Sequence, residues 1–207
     1  MSIHLPIDID SIKGFLAADE GEALFNFALK SAALGPCLEI GSYCGKSTVY
    51  LGMACRERHN TLFSLDHHRG SEEHQQGEQY HDAELYDPIS GKMDSFPSFR
   101  QTLAAAELEQ TVVPIVSPSA TVARHWATPL SMVFIDGGHS LESALSDYRC
   151  WAHHIKPGGI LAIHDIFPDP TLGGQAPYHI WQLAQASGLF ECLPTVNTLG
   201  LLRRSVE

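Results

Sequence analysis

The sequence has few basic residues and no segment long and apolar enough to suggest a membrane span. Lysine and arginine together number 13 among 207 residues, against 24 acids, so the net charge is −11 with neutral histidines. Binding to a nucleic-acid backbone or to an anionic membrane requires a basic surface, which argues against both partners. No apolar run approaches the roughly 18 residues that cross a membrane. No signal peptide is visible at residues 1–10.

Cysteine pairs are also lacking. The five cysteines, at positions 37, 44, 55, 150 and 192, form no Cys-x-x-Cys motif. Such cysteines are typical of reduced thiols, so we expect a cytoplasmic protein without disulfides. The chain length and a hydrophobic content of 44% favour a single domain over residues 1–207 with a sizeable core. A homodimer is the default expectation for its assembly.

Residues 38–47 read Leu-Glu-Ile-Gly-Ser-Tyr-Cys-Gly-Lys-Ser and predict a strand, a glycine turn and a helix. Gly41 and Gly45 have no Cβ, so a ligand can approach the backbone and meet the free N–H groups of the helix N-terminus. A phosphate-binding P-loop needs four residues between its first glycine and Gly-Lys-Ser, and this chain has three. A dinucleotide fingerprint needs glycine where Tyr43 stands. A tight turn that binds nothing remains the alternative.

Residues 61–66 predict the second strand, which ends at Asp66. A carboxylate at this position can accept hydrogen bonds from both ribose hydroxyls of an adenosyl group. The acid about 20 residues beyond a Rossmann glycine turn has this role. Asp66 lies 25 residues after Gly41, so we expect it to contact such a ribose. The alternative is a solvated aspartate in a turn.

Two segments outside the predicted strands are interpreted as covers of the sheet and of the substrate. Residues 7–33 predict one or two helices, so we expect residues 1–34 to form a helical N-terminal cover. Residues 67–99 are rich in histidines, acids and chain-breaking residues, and a loop of this length is usually functional or disordered. It follows the second strand and can reach the sheet edge where α/β folds bind ligands. We interpret it as a substrate-covering insertion. A metal site is the alternative, formed by its histidines His67, His68, His74 and His81.

Two further predicted strands each deliver an acid at their carboxyl end. Residues 131–136 are an apolar run that ends at Asp136, as in a central parallel strand, and residues 160–163 precede His164 and Asp165. Neighbouring strands lie about 4.8 Å apart, so Asp136 and Asp165 can converge beside the glycine turn. Two carboxylates at that distance repel unless a proton or cation lies between them. A divalent metal, Mg²⁺ or Mn²⁺, is the natural counter-charge.

Together these motifs resemble class I S-adenosylmethionine (SAM) methyltransferases. The Glu-x-Gly-x-x-x-Gly-x-Ser form of their motif I fits residues 39–47, which are most similar to the version in catechol O-methyltransferase, including Tyr43 and Cys44. Residues 134–140, 156–159 and 163–165 resemble the metal-dependent O-methyltransferases of macrolide sugars and other glycosides. The resemblance extends over about residues 35–204.

The resemblance implies a Rossmann-like α/β fold with helices on both faces of the sheet. The seven-stranded sheet would be mostly parallel, in the order 3-2-1-4-5-7-6. It also implies that SAM is the cofactor. In this family a serine after strand three meets the adenine edge, and Ser119 matches that position, with a plain helix cap as the alternative. The implied cofactor-binding residues are Glu39, Gly41, Tyr43, Gly45, Ser47, Asp66, Ser119 and Asp136.

A metal and a catalytic base follow from the same resemblance. The family holds its metal with the strand-four aspartate and an acidic pair after strand five, which correspond to Asp136, His164 and Asp165. His164 replaces the usual acid and would shift the preference toward manganese or another transition metal. A buried, hydrogen-bonded histidine is the alternative. The histidine three residues after the first aspartate, His139, would be the base, with a capping or core histidine as the alternative.

The expected activity is metal-assisted methyl transfer from SAM to a hydroxyl of a small polyhydroxylated acceptor. The polar residues of segment 67–87 favour such an acceptor over a planar aromatic one. Two other classes stay open. A metal-dependent hydroxylase-like enzyme on the same scaffold would bind iron and require oxygen, since a cephalosporin hydroxylase group shares these motifs. A non-catalytic SAM-binding module would bind cofactor without turnover.

Overall fold

A computed structural model describes residues 3–71 and 82–206. Nine strands are present in chain order: β1 (Cys37–Ile40), β2 (Leu62–Asp66), β3 (Tyr86–Asp87), β4 (Lys92–Met93), β5 (Val112–Val116), β6 (Leu130–Ile135), β7 (Ile155–Ile163), β8 (Phe190–Cys192) and β9 (Gly200–Arg204). Strands β3 and β4 form a separate antiparallel hairpin. The other seven form one sheet, ordered β5-β2-β1-β6-β7-β9-β8.

The order of the main sheet agrees with the sequence-based prediction. Counted within that sheet alone, the strands run 3-2-1-4-5-7-6. Strands β5, β2, β1, β6 and β7 pair in parallel, whereas β9 is antiparallel to both β7 and β8. The mostly parallel sheet that the resemblance implies is therefore confirmed. Because parallel strands share one carboxyl edge, the ends of β1, β2, β6 and β7 lie together.

Helices cover both faces of the sheet, as expected. They are α1 (Ala18–Ser31), α2 (Lys46–Glu57), α3 (Phe96–Ala105), α4 (Ser119–Ala123), α5 (Leu141–Trp151) and α6 (Ala176–Ala186). Strand β6 shows why helices are needed on both faces of the sheet. Its Met132 and Phe134 belong to the apolar core on one face, and Val133 and Ile135 to the core on the other. Successive strand residues point to opposite faces, so a strand apolar throughout must be covered twice.

The N-terminal segment contains the helices predicted for residues 7–33. A short 3₁₀ turn at Ile9–Ser11 precedes α1. Helix α1 packs closely on α2 at Gly21, where a Cβ would lie 2.4 Å from the Tyr50 ring. A side chain at Gly21 would therefore force the two helices apart.

Strand β7 begins earlier than expected. The Lys-Pro-Gly-Gly run at residues 156–159 precedes the strand predicted at 160–163, yet it lies inside β7. The pairing of β6 with β7 shifts register between Leu130 and Met132, and Gly158 has φ +79°. An irregularity of this kind accommodates proline and glycine within a strand. Helix α3 starts within the segment 67–99 that was interpreted as an insertion, because Pro97 favours the first turn of a helix.

The predicted substrate-covering insertion at 67–99 is described in part. Residues 72–81, which include His74 and His81, lie outside the described residues. His68 is buried, with its ring against Phe96 and Phe99 and its Nδ1 2.8 Å from the Ser95 hydroxyl. It therefore packs inside the fold. Among the helices that the structure describes, none is long and apolar enough to cross a membrane.

Candidate active site

The carboxyl ends of the parallel strands open into a cavity of about 1260 Å³. Its wall includes residues 41–43 of the glycine turn, the residues that follow β2, β6 and β7, and the turn before α4. Residues 13–16 of the N-terminal segment lie on another side. The cavity thus occupies the position where open α/β sheets bind ligands.

The glycine turn is pressed against the end of β6. Gly41 has φ +85°, and a Cβ there would lie 2.0 Å from the backbone oxygen of Asp136. Only glycine fits this contact. Gly45, with φ +93°, precedes α2 and faces Phe99 and Thr102 instead of the cavity. Gly45 therefore packs against helix α3, whereas we expected it to contact the cofactor.

Asp66 lines the cavity and also fixes the glycine turn. Its Oδ2 accepts hydrogen bonds from the backbone N–H groups of Ser42, at 3.0 Å, and Tyr43, at 2.9 Å. Its Oδ1 accepts from the backbone of His68 at 2.7 Å. Tyr43, at φ +47°, is held in a left-handed conformation by these contacts. The second strand and the turn are thereby joined at one carboxylate. The ribose contact of Asp66 stays a prediction.

Glu39 lies beneath the turn and does not line the cavity. It is fully buried and accepts hydrogen bonds from the hydroxyls of Ser47, Thr48 and Ser64, at 2.5, 2.6 and 2.8 Å. Burial raises the pKa of Glu39 to about 7 although these hydroxyls favour the charged form. Glu39 joins β1, β2 and α2. We expected Glu39 to contact the cofactor directly; this is corrected, because Glu39 supports the turn from below. Ser47, in contrast, lines the cavity.

A buried hydroxyl in the cavity wall has no hydrogen-bond partner. The Ser42 Oγ is inaccessible to solvent, and within residues 3–71 and 82–206 nothing bonds to it. Leaving such a group unpaired costs about 1–3 kcal/mol. A polar ligand atom at the glycine turn would satisfy it, so the site fits a bound cofactor.

Asp136, His139 and Asp165 form a group that can hold a metal ion. Each offers one ligand atom, and the three atoms lie within 4.8 Å of one another. The His139 Nε2 is 3.0 Å from the Asp165 Oδ2, and both side chains are partly exposed to the cavity. Two carboxylate oxygens with one imidazole suit Mn²⁺ or a similar transition metal better than Mg²⁺. These residues fit the metal that the sequence predicts.

The turn after β7 sends two consecutive side chains to different partners. The strand ends at Ile163, and Asp165 has the left-handed φ of +57°. A non-glycine residue rarely adopts this conformation, which is often found at functional sites. Asp165 faces His139, while His164 turns into the protein.

His164 lies between two carboxylates. Its Nδ1 is 3.2 Å from the Asp136 Oδ1, its Nε2 is 3.0 Å from the Glu20 Oε2, and the side chain is 3% exposed. Because both nitrogens face carboxylates, both carry protons. Burial opposes this charge, yet Asp136 and Glu20 raise the pKa of His164 to about 11. The prediction that His164 is a metal ligand is corrected, since both nitrogens are already used. His164 is instead a buried, hydrogen-bonded histidine, which was the alternative interpretation.

Glu20 was not predicted as part of this site. It is buried on α1, and besides His164 it accepts hydrogen bonds from the Ala17 N–H and from the N–H and hydroxyl of Thr198. Burial opposes its charge, but the bonds from His164 and Thr198 lower the pKa of Glu20 to about 2. One sequence signal could have revealed it. Glu20 lies four residues before Leu24 and eight before Ala28, on the buried stripe of α1.

At the far side of the cavity, Ser119 is held by neighbouring side chains. Its Oγ accepts a hydrogen bond from the Trp151 Nε1 at 2.8 Å. It also lies beside Asp147, a buried residue of α5 that the sequence did not single out, and its hydroxyl favours the charged form of that carboxylate. Ser119 and Asp147 both line the cavity. The contact expected between Ser119 and adenine stays a prediction.

Comparisons with known proteins agree with this arrangement. The model of a family described as a methyltransferase domain matches residues 38–166. The fold is similar to that of the O-methyltransferase TomG from Streptomyces achromogenes in complex with SAM, with a TM-score of 0.63, 16% identity, and coverage of 92% of this chain and 82% of that one. It is similar to the O-methyltransferase NovP, with a TM-score of 0.69, 14% identity, and coverage of 90% and 80%.

A third similar structure is an O-methyltransferase from Bacillus cereus in complex with S-adenosylhomocysteine (SAH). Its TM-score is 0.62 at 16% identity, covering 93% of this chain and 83% of that one. At these identities the likeness concerns the fold. The family match includes the glycine turn, the acids at the strand ends and both histidines of the site. The chain therefore belongs to the methyltransferase-domain family, and its fold is that of the class I SAM-dependent methyltransferases.

Proposed function

We propose that this protein is a SAM-dependent, divalent-metal-assisted O-methyltransferase that acts on a hydroxyl of a small polyhydroxylated acceptor, such as a sugar or glycoside. The observation that carries the proposal is the convergence of Asp136, His139 and Asp165 in the cavity that the glycine turn also lines. TomG, NovP and the Bacillus cereus protein are named O-methyltransferases, which supports the same reaction class.

Several residues of the cavity wall fit a bound SAM. The turn approaches the cavity without a Cβ at Gly41, the Ser42 hydroxyl is buried and unpaired in the described structure, and Asp66 lies at the end of β2. Gly41, Tyr43, Ser47, Asp66, Ser119 and Asp136 all line the cavity. When bound, SAM supplies a methyl group on a sulfonium. The chain must hold the acceptor oxygen in line with that methyl, which is a large part of catalysis in such reactions.

His139 is the proposed base. Its Nε2 lies 3.0 Å from Asp165, and a carboxylate at that distance keeps the proton on Nε2. The Nδ1 is then the nitrogen that accepts a proton. A positioned base of this kind typically contributes about 10²–10⁴-fold to the rate. Asp165 thus orients the base.

Asp136 and Asp165 are the proposed metal ligands. A divalent metal, when bound, lowers the pKa of a coordinated hydroxyl. His139 is close enough to be a third ligand, but one nitrogen cannot hold a metal and keep the proton that faces Asp165. The two roles of His139 predict different metal affinities in a His139 variant, as set out in the Discussion.

The cavity wall supports a hydroxylated acceptor. Besides the cofactor residues it contains the hydroxyls of Ser71, Ser95, Ser140, Ser143 and Ser146. Serine hydroxyls both donate and accept hydrogen bonds, as sugar hydroxyls do. The same wall contains the apolar residues Phe15, Phe167 and Leu172, which can pack against the carbon skeleton of an acceptor, so the screen below includes aromatic diols as well as sugars.

The test is a screen of sugars, glycosides and aromatic diols with SAM, measuring SAH formation with and without divalent metal. We expect acceptor-dependent SAH that stops with EDTA and returns with Mn²⁺ or Mg²⁺. The Asp136→Asn variant should need more metal, while the matched control Asp169→Asn, in an exposed loop, should behave as wild type. SAM binding without turnover on any acceptor would indicate a binding module. Bound iron with oxygen consumption would indicate a hydroxylase.

A further inference from the structure

Asp147 is a buried acid in the cavity wall for which the proposed chemistry has no role. It is 6% exposed, and among residues 3–71 and 82–206 no lysine or arginine forms an ion pair with it. Burial raises the pKa of Asp147 to about 6, against the favourable bond from Ser119. Burying an acid without a cation is costly unless its oxygens are hydrogen-bonded. A single hydroxyl, that of the neighbouring Ser119, would leave most of its acceptor positions unused.

Glycine residues open a path from Asp147 to the cavity. At Gly137 a Cβ would lie 2.8 Å from the Asp147 Oδ2, so any side chain there would press against the carboxylate. The next residue, Gly138, also has no side chain to cover the site. Both glycines line the cavity directly after Asp136. The carboxylate can therefore face a ligand lying over the end of β6.

Ser119 is poorly placed to recognise such a ligand by itself. Its hydroxyl lies beside Asp147, whose charged form it favours, and one of its two acceptor positions takes the Trp151 N–H. The turn before α4 and the end of β6 thus meet at Asp147. In the proposed function this end of the cavity would receive the adenine of the cofactor, because Asp66 lies beside it at the tip of β2.

We propose that Asp147 recognises the adenine of the cofactor by accepting a hydrogen bond from its 6-amino group. The inference rests on the proposed function, since it concerns how SAM and SAH are bound. The donor is chemically specific, because a purine without the 6-amino group has nothing to offer the carboxylate. Ser119 then orients the acceptor, and Trp151 holds Ser119. In this arrangement a side chain of α5 distinguishes adenine from a purine that lacks the 6-amino group.

The test compares SAH with its 6-deamino analogue, in which purine replaces adenine, by calorimetry. Hydrogen bonds to a charged acceptor are strong, so wild type should bind SAH about 10- to 100-fold more tightly than the analogue. Asp147→Ala should bring this ratio close to 1. Asp147→Asn, a neutral acceptor, should give an intermediate ratio. Thermal unfolding of each variant shows that it is folded.

Glu142→Ala is the matched control, because it removes an exposed acid at the cavity rim on the same helix, and it should keep the wild-type ratio. Ser119→Ala removes the hydroxyl that orients Asp147 and should lower the ratio less than Asp147→Ala does. A ratio that collapses in Ser119→Ala but survives in Asp147→Ala would overturn the inference in favour of the serine.

Binding measurements on the wild-type protein alone can also refute the proposal. Equal affinity for SAH and the analogue would overturn it whatever the variants do. Absence of any SAH binding would overturn the proposed function and this inference with it. Tight SAH binding without preference for the 6-amino group would overturn the inference alone.

Discussion

The Glu20 Oε2 lies 3.0 Å from the His164 Nε2, in a part of the molecule where both side chains are only 3% exposed. The contact joins the first helix to the end of β7. The other side of the same imidazole faces Asp136, at 3.2 Å. A residue of the N-terminal helix is therefore separated from Asp136, a proposed metal ligand, by a single ring.

Replacing Glu20 should destabilise the protein. Glu20→Gln leaves the imidazolium with Asp136 but without its more buried counter-charge, and breaking a buried ion pair costs about 3–5 kcal/mol. We expect a loss of this size in the free energy of unfolding, measured by urea denaturation. The control is Asp19→Asn, one residue away, which affects an exposed contact with Asn197 and should cost less than about 1 kcal/mol. Equal losses in the two variants would contradict the role of the pair.

The stability lost in Glu20→Gln should depend on pH. The pKa of Glu20 is lowered from 4.5 to about 2, so its contribution is present above pH 4.5 and is lost as pH falls through 2. The pKa of His164 is raised from 6.5 to about 11, so its contribution is full below pH 6.5 and is lost as pH rises through 11. The difference between wild type and variant should be largest between pH 4.5 and 6.5. Denaturation at pH 3, 6 and 9 checks this, and a constant difference would exclude the coupling.

Asp66→Ala should weaken both cofactor binding and the protein without cofactor. Loss of the ribose contact should cost about 1–3 kcal/mol in SAH affinity. Loss of the acceptor for Ser42 and Tyr43 should also lower the free energy of unfolding without ligand by about 1–3 kcal/mol. Calorimetry and denaturation measure the two effects, with Asp87→Asn, a partly exposed residue at the end of β3, as control. Unchanged SAH affinity would remove Asp66 from the cofactor site, and unchanged stability would show that the turn forms without it.

His139 and His164 variants should fail in different ways. If His139 is the base, His139→Ala should lower turnover about 10²–10⁴-fold and keep its Mn²⁺ affinity within about threefold. His164→Ala should lose activity that excess metal does not restore, because its nitrogens face Glu20 and Asp136. Mn²⁺ titrations and turnover at low and saturating metal measure this, with Asp165→Asn as the variant that should require more metal. Rescue of His139→Ala by metal would make His139 a ligand.

The acids at strand ends could be predicted because they depend on local patterns, whereas the strand order was implied by the family resemblance. Apolar runs, glycine turns and a following acid place Asp66, Asp136 and Asp165 at one edge whatever the details of packing. The direction of a side chain at a motif position is a different matter. Glu39 belongs to the motif but faces inward to three hydroxyls. Such contacts depend on tertiary structure, which the motif does not record.

The assignment of His164 shows the same limit more clearly. Its partner Glu20 lies 144 residues away in the sequence, and no spacing rule joins the two. The strand ending at Ile163 was expected, but the left-handed turn at Asp165 was not. That turn decides which of the two residues after β7 reaches the cavity cluster. The long-range pairing of charged side chains was therefore the part of the site that could not be predicted from the sequence alone.

The contacts of Glu20 have a consequence for how the chain is made. Glu20 is synthesised before its partner Thr198, which follows 178 residues later. At about 5–20 residues per second this interval lasts about 10–35 seconds. The other distant partner, His164, follows Glu20 by 144 residues, so for most of that time the carboxylate has neither partner and α1 lacks both contacts. The segment between β8 and β9 therefore completes the surroundings of α1.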